Sequence, residues 1–98
     1  MKAALLARTR IVCKARAFAE LVLWRVPGAV RGSDHRFKYR LAYIVDSVCV
    51  VRYDNGADKG DHRHIGGTQS VYRFSTPERL VADFQADIAR WNDENGGS

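Results

Sequence analysis

FKYRLAYIVDSVCVVRYD, residues 37–54, is the stretch on which the fold depends. Its halves, 37–45 and 48–54, are rich in aromatic and β-branched residues, the types that fit a pleated, half-buried surface. Asp46-Ser47 between them has the length of a two-residue hairpin loop, although Asp-Gly would be the stronger turn signal. With that turn, positions whose numbers sum to 93 face each other across the hairpin. Phe37, Tyr39, Leu41, Tyr43 and Val45 then share one face with Val48, Val50, Arg52 and Asp54. Lys38, Arg40, Ala42 and Ile44 share the other with Cys49, Val51 and Tyr53, because strand side chains alternate between faces. In this register Arg40 faces Tyr53, and Lys38 and Arg40 emerge together where the second strand ends.

Working outward, residues 19–26 (AELVLWRV) read as a further strand, stopped by Pro27-Gly28. A basic loop, GAVRGSDHR, leads into the hairpin. Residues 2–8 (KAALLAR) suggest a short helical turn or a frayed arm, so that about 1–16 stands outside the core. After the hairpin, HRHI (62–65) and VYRF (71–74) are short strand candidates. A helix closes the chain: Ser75 and Thr76 are both good N-caps, Ser75 with Glu78 fits a capping box, and Pro77 suits the first turn. Leu80, Val81, Phe84, Ile88 and Trp91 recur at helical spacing as the face packed on the sheet, with Glu78, Asp83 and Asp87 off it. Residues 93–98 fray. The pattern predicts one α+β domain over 1–98, a small antiparallel sheet centred on the 37–54 hairpin and packed against a C-terminal amphipathic helix.

A length of 98 residues leaves no room for a second core. No apolar run approaches the ~20 residues that span a bilayer. AALLA near the start is too short for a secretory core and no small-residue cleavage site follows it, which predicts a cytoplasmic protein. Cys13 and Cys49 have no metal-type partner at short spacing and are expected as buried thiols, not a disulfide. The net charge of +5 is uneven: residues 1–40 carry ten Lys/Arg against Glu20 and Asp34, while 41–98 carry six against nine acids. The basic half suits nucleic acid or an acidic partner.

The densest chemistry lies in YDNGADKGDHRHIGG (53–67). Three readings compete for it. A metal would use His62 and His64, two apart and so on one side of an extended backbone, with Asp54 or Asp61 as third ligand. The usual zinc spacings are absent, however, and Asp54, Asp58 and Asp61 lack the glutamate that closes a calcium loop. Phosphodiester cleavage without metal or other cofactor needs a base for the 2′-OH, an acid for the leaving oxygen and cations for phosphate. Histidine suits both proton roles near neutral pH, Lys59, Arg63, Lys38 and Arg40 supply charge, and Tyr53 could stack on a base or donate its hydroxyl. The third reading is a solvated turn, since Asp54-Asn55-Gly56 is a strong turn former. Lys59-Gly60 lacks the order of a kinase-type phosphate loop.

KYRLAYIVDSVCVVRYDN…KGDHRH…YRF…L…DF…D resembles the TumE family, small toxins of bacterial and archaeal toxin–antitoxin pairs. The resemblance runs from about Glu20 to Trp91, and its most specific parts are the hairpin with RYDN and the GDHRH element. It departs at Asp46-Ser47, where glycine is more familiar, and in the longer basic N-terminal arm. The resemblance implies a toxin with a helix-turn-helix, DNA-binding antitoxin as partner in a hetero-oligomer, and, by analogy with other small toxins, an endoribonuclease acting on RNA. The motif lands on Lys38, Tyr39, Arg40, Arg52, Tyr53, Asp54, Asn55, Lys59, Gly60, Asp61, His62, Arg63 and His64. In this reading His62 and His64 are acid and base, Asp61 or Asp54 orients one imidazole, and Lys59, Arg40 and Lys38 bind phosphate with Arg63, Arg52 and Asn55 nearby. His35 is expected as a surface histidine. Two alternatives stay open: a non-catalytic toxin or regulator that occludes a translation target, and a metal-dependent nuclease or phosphotransferase. The basic loop at 28–40 with 59–64, or else the acidic helix, would dock the antitoxin.

Overall fold

The computed structural model describes residues 2–56 and 60–96. Its elements are β1 (Ala4–Lys14), β2 (Ala17–Arg25), β3 (Phe37–Val45), β4 (Val48–Asp54), β5 (His62–Ile65), β6 (Thr68–Val71) and α1 (Pro77–Glu94). The strands pair in chain order, each antiparallel to the next, as one six-stranded meander. Both turn residues between β3 and β4 take left-handed backbone, Asp46 at φ 50° and Ser47 at φ 68°. Such two-residue turns match the right-handed twist of the flanking strands, and aspartate tolerates that region better than most residues.

The expected register holds for only two pairs. Val45 faces Val48 and Ile44 faces Cys49, but beyond a bulge Tyr43 faces Val51, Leu41 faces Tyr53 and Arg40 faces Asp54. Val50 is the extra residue, and its carbonyl accepts from Gly66 N–H at 2.9 Å. One inserted residue moves every later side chain of β4 to the opposite face. Tyr53 and Val51 therefore join Tyr39, Leu41 and Tyr43 in the core, whereas Arg52 and Asp54 turn outward with Arg40. The expected pairing of Arg40 with Tyr53 is corrected to Arg40 with Asp54.

Other expectations shift for equally local reasons. Residues 4–14 form an 11-residue edge strand instead of a helical turn or frayed arm. Their Ala, Leu and Arg favour a helix in isolation, but pairing with β2 overrides that weak preference. The last strand begins directly after Gly66-Gly67 and covers 68–71, not 71–74. Both cysteines are exposed and free: Cys13 sits on the edge strand, and Cys49 beside the turn on the uncovered face. Helix α1 is capped by Thr76, whose hydroxyl accepts from Arg79 N–H at 3.1 Å, with Pro77 in the first turn; Ser75 does not form the expected capping box. The helix runs through Asp93 and Glu94, past the expected fray.

Leu80 and Phe84 are fully buried against β3 and β4, with Val81, Ile88 and Trp91 packed at their flank. Three tyrosines tie the helix down. Tyr72 donates to Asp83 Oδ2 at 2.6 Å, Tyr53 donates to Asp87 Oδ2, and Tyr43 donates to Asn92 Oδ1 at 2.8 Å. Asp87 is thus a buried anchor, not the solvent-facing acid that its place off the apolar stripe suggested. Only one face of the sheet lies under the helix; on the other, Val22, Trp24, Lys38, Arg40, Arg52, Asp54, His62 and His64 share an uncovered surface, as strand alternation and register require.

Candidate functional site

Antiparallel pairing sets Arg40, Asp54 and His62 side by side on β3, β4 and β5, and Ala42, Arg52 and His64 in the next row. The two imidazoles, two residues apart on β5, share this open face as the spacing implies; their ring centroids lie 5.1 Å apart, edge to face. His62 is buried and pinned at both nitrogens: Nδ1 donates to the Gly60 carbonyl at 2.9 Å, and Nε2 lies 2.6 Å from Asp54 Oδ1. Both partners are acceptors, an arrangement satisfied by a ring carrying both N–H groups. Asp54 Oδ2 also lies 3.0 Å from Arg52 Nε, an ion pair whose angle makes no hydrogen bond. The same guanidinium donates through Nη2 to His64 Nε2 at 2.8 Å, so that nitrogen is the acceptor of the pair. The result is a continuous polar chain, His62–Asp54–Arg52–His64, with exposed Arg40 and Lys38 on the adjoining strand.

The remaining motif residues are not brought to this face. Asp61 sits beneath the sheet end and orients neither His62 nor His64. Its Oδ2 accepts from Tyr39 OH and His35 Nε2, both at 2.7 Å, and its Oδ1 accepts from Ser33 Oγ. His35 is correspondingly not a surface histidine: Nδ1 accepts from Phe37 N–H at 3.1 Å, and the ring stacks on Phe74 at 3.9 Å. Gly60 supports the same joint. Its φ of +76° is left-handed, and a Cβ there would meet the Gly32 carbonyl oxygen at 2.5 Å. Asn55, fully buried, behaves as a length of strand backbone: Oδ1 accepts from Tyr39 N–H at 3.1 Å and Nδ2 donates to the Phe37 carbonyl at 2.6 Å.

Tyr53 and Arg63 lie on the helix side, where Arg63 Nη1 reaches Asp87 Oδ2 at 3.3 Å and the Tyr53 hydroxyl at 3.5 Å. Burial, followed by the bond to Asp87, raises the Tyr53 phenol well above its ordinary value. It keeps its proton at neutral pH and suits structural anchoring better than proton transfer. Burial likewise raises Tyr39 and Tyr72, assisted by Asp61 and Asp83 respectively. The Arg63 guanidinium is raised chiefly by its contact with the Tyr53 hydroxyl. Lys59, expected as a phosphate ligand, lies outside the described residues. Among the described residues no three His, Cys, Asp or Glu side chains converge as a metal set, and the Nε2 atoms of His62 and His64 already face Asp54 and Arg52.

Sequence reasoning missed Asp87, Ser33 and His35 as partners of the motif, and Trp24, Arg8 and Arg10 as neighbours on the open face. The alternation of β2 could have placed Trp24 beside Lys38; Arg8 and Arg10 needed the pairing of β1, which nothing local announced.

A meander with one covering helix, presenting histidines and arginines in register on its bare face, defines a small α+β protein built around a polar sheet surface. The family model described as toxin TumE matches residues 2–92, and the chain belongs to that family of toxins. No curated protein and no solved structure matches it. No helix of the described residues is long and apolar enough to cross a membrane.

Proposed function

We propose that this toxin is a metal-independent ribonuclease and that RNA lies across the open sheet face. The observation that supports this most is the His62–Asp54–Arg52–His64 chain, which sets two imidazoles and a guanidinium within reach of one phosphate. A phosphate drawing Arg52 to itself releases the lone pair of His64 Nε2, which then takes the proton from the 2′-OH. The 2′ oxygen bonds to phosphorus, the bond from phosphorus to the 5′ oxygen breaks, and His62 supplies the proton to that leaving oxygen. Asp54 orients His62, while Arg52 and Arg40 stabilise the charge developing on phosphate. No cofactor enters this scheme.

Induced expression of wild type beside His64→Ala, with total RNA run on a gel, is the test. Wild type should arrest growth and fragment RNA; His64→Ala should do neither while keeping a wild-type thermal transition. Fragmentation that persists in folded His64→Ala and His62→Asn proteins rules the scheme out, and loss of cleavage in EDTA with recovery on adding a divalent ion replaces it with a metal-dependent one. One observation favours a second reading, occlusion of a translation target without chemistry: both Nε2 atoms are already engaged in the resting protein. That reading predicts arrest with unchanged RNA lengths.

A toxin family suggests an antitoxin partner. The antitoxin in this reading is a helix-turn-helix protein that acts in the cytoplasm and covers the basic open face through an acidic segment.

A further inference from the structure

The open face carries an apolar recess that the histidine chemistry does not use. It is a cavity of about 470 Å³ lined by Ala3, Val22, Trp24, Val26, Lys38 and Arg40. Its wall is the half-buried indole of Trp24, and strand pairing sets Lys38 directly across from Trp24 and Arg40 directly across from Val22. Arg8 of β1 faces Val22 from the other side. An aromatic ring over an aliphatic floor, with cations on the neighbouring strand, is the composition that stacks a nucleobase while holding its phosphates.

We propose that this recess is a base-stacking subsite for single-stranded RNA, an inference that rests on the RNA reading given above. The base lies on Trp24, and Lys38, directly across from it, takes a phosphate that flanks it. Three strand spacings along the sheet and two residues along the strands put Trp24 about 16 Å from His62. That distance calls for an oligonucleotide; a mononucleotide would not connect the two places. Duplex RNA is disfavoured, because its bases are paired and stacked on one another and cannot lie on the indole.

The test uses the full chain and a fluorescein-labelled 2′-O-methyl oligouridine decamer, which binds but has no 2′-OH to react. Wild type should bind the decamer, with a duplex of equal length competing poorly. Trp24→Ala and Trp24→Leu should weaken binding roughly tenfold, and Trp24→Phe, which keeps a stacking ring, by no more than about threefold. On cleavable RNA the same changes should raise KM and leave kcat nearly unchanged. A folded Trp24→Leu protein that binds the decamer as tightly as wild type overturns the subsite and leaves the RNA reading standing. Absence of any binding by wild type overturns the RNA reading, and the subsite falls with it.

Discussion

Asn55 shows how a single side chain can finish a sheet. Strand β4 stops at Asp54, yet Tyr39 N–H and the Phe37 carbonyl still need partners, and the Asn55 amide supplies both in one planar group. Asn55→Ala leaves a buried donor and a buried acceptor unpaired, at about 1–3 kcal/mol each. The expected loss is therefore about 2–6 kcal/mol in the urea-extrapolated unfolding free energy. Asn55→Asp, which keeps the acceptor and loses the donor, should destabilise through the Phe37 carbonyl instead. A loss for Asn55→Ala under about 1 kcal/mol would mean that water replaces the amide. His62 and His64 form the complementary case: their same-side placement follows from spacing alone, and so does the opposite placement of Arg63 between them. The pairing of Asp61 with His35 does not follow from spacing, because it joins residues 26 apart through a loop that no local pattern describes.

At the scale of elements, the joint between helix and sheet depends on phenolic protons. Tyr53 and Tyr72 donate to Asp87 and Asp83, Tyr39 donates to Asp61, and all three phenols are raised in the fold, first by burial. A tyrosine raised in the folded state contributes stability that is whole below its unfolded value, near about 10, and that is lost as pH climbs toward the folded one. Denaturant midpoints should be flat from pH 8 to 9.5 and fall above about pH 10. Tyr53→Phe should lower the midpoint at pH 8 and shallow the alkaline decline; an unchanged decline would place the sensitivity elsewhere. The hairpin and the helix were legible because turn length, β-branched runs and the apolar stripe are local signals. The bulge at Val50 was not, since one extra residue leaves the composition of β4 untouched while exchanging its faces. Strand β1 was hidden by helix-favouring residues whose conformation is decided by the edge of β2.

Across the whole molecule, charge and layering act together. A single helix covers one face, and the uncovered face holds Arg8, Arg10, Lys38, Arg40 and Arg52 against Glu20 and Asp54. If four of these cations meet phosphates, affinity for a single strand should fall with salt at a log–log slope of about −3, taking ~0.7 per contact. Anisotropy titrations between 50 and 300 mM salt measure this, and removing Lys38 and Arg40 together should bring the slope to about −1.5. A slope near zero would separate binding from this face.

The knot of Asp61 with Ser33, Tyr39 and His35, braced by Gly60 against Gly32, also bears on how the toxin can be lost by mutation. Colonies that survive induction should carry many changes at Gly60, Asp61 and their partners, because damage there dismantles the protein before any question of chemistry arises. Survivors that still accumulate a folded protein form a narrower class, expected at His64, Arg40, Lys38 and Trp24. Sorting survivors by protein abundance thus separates the residues that hold the molecule together from those that make it harmful.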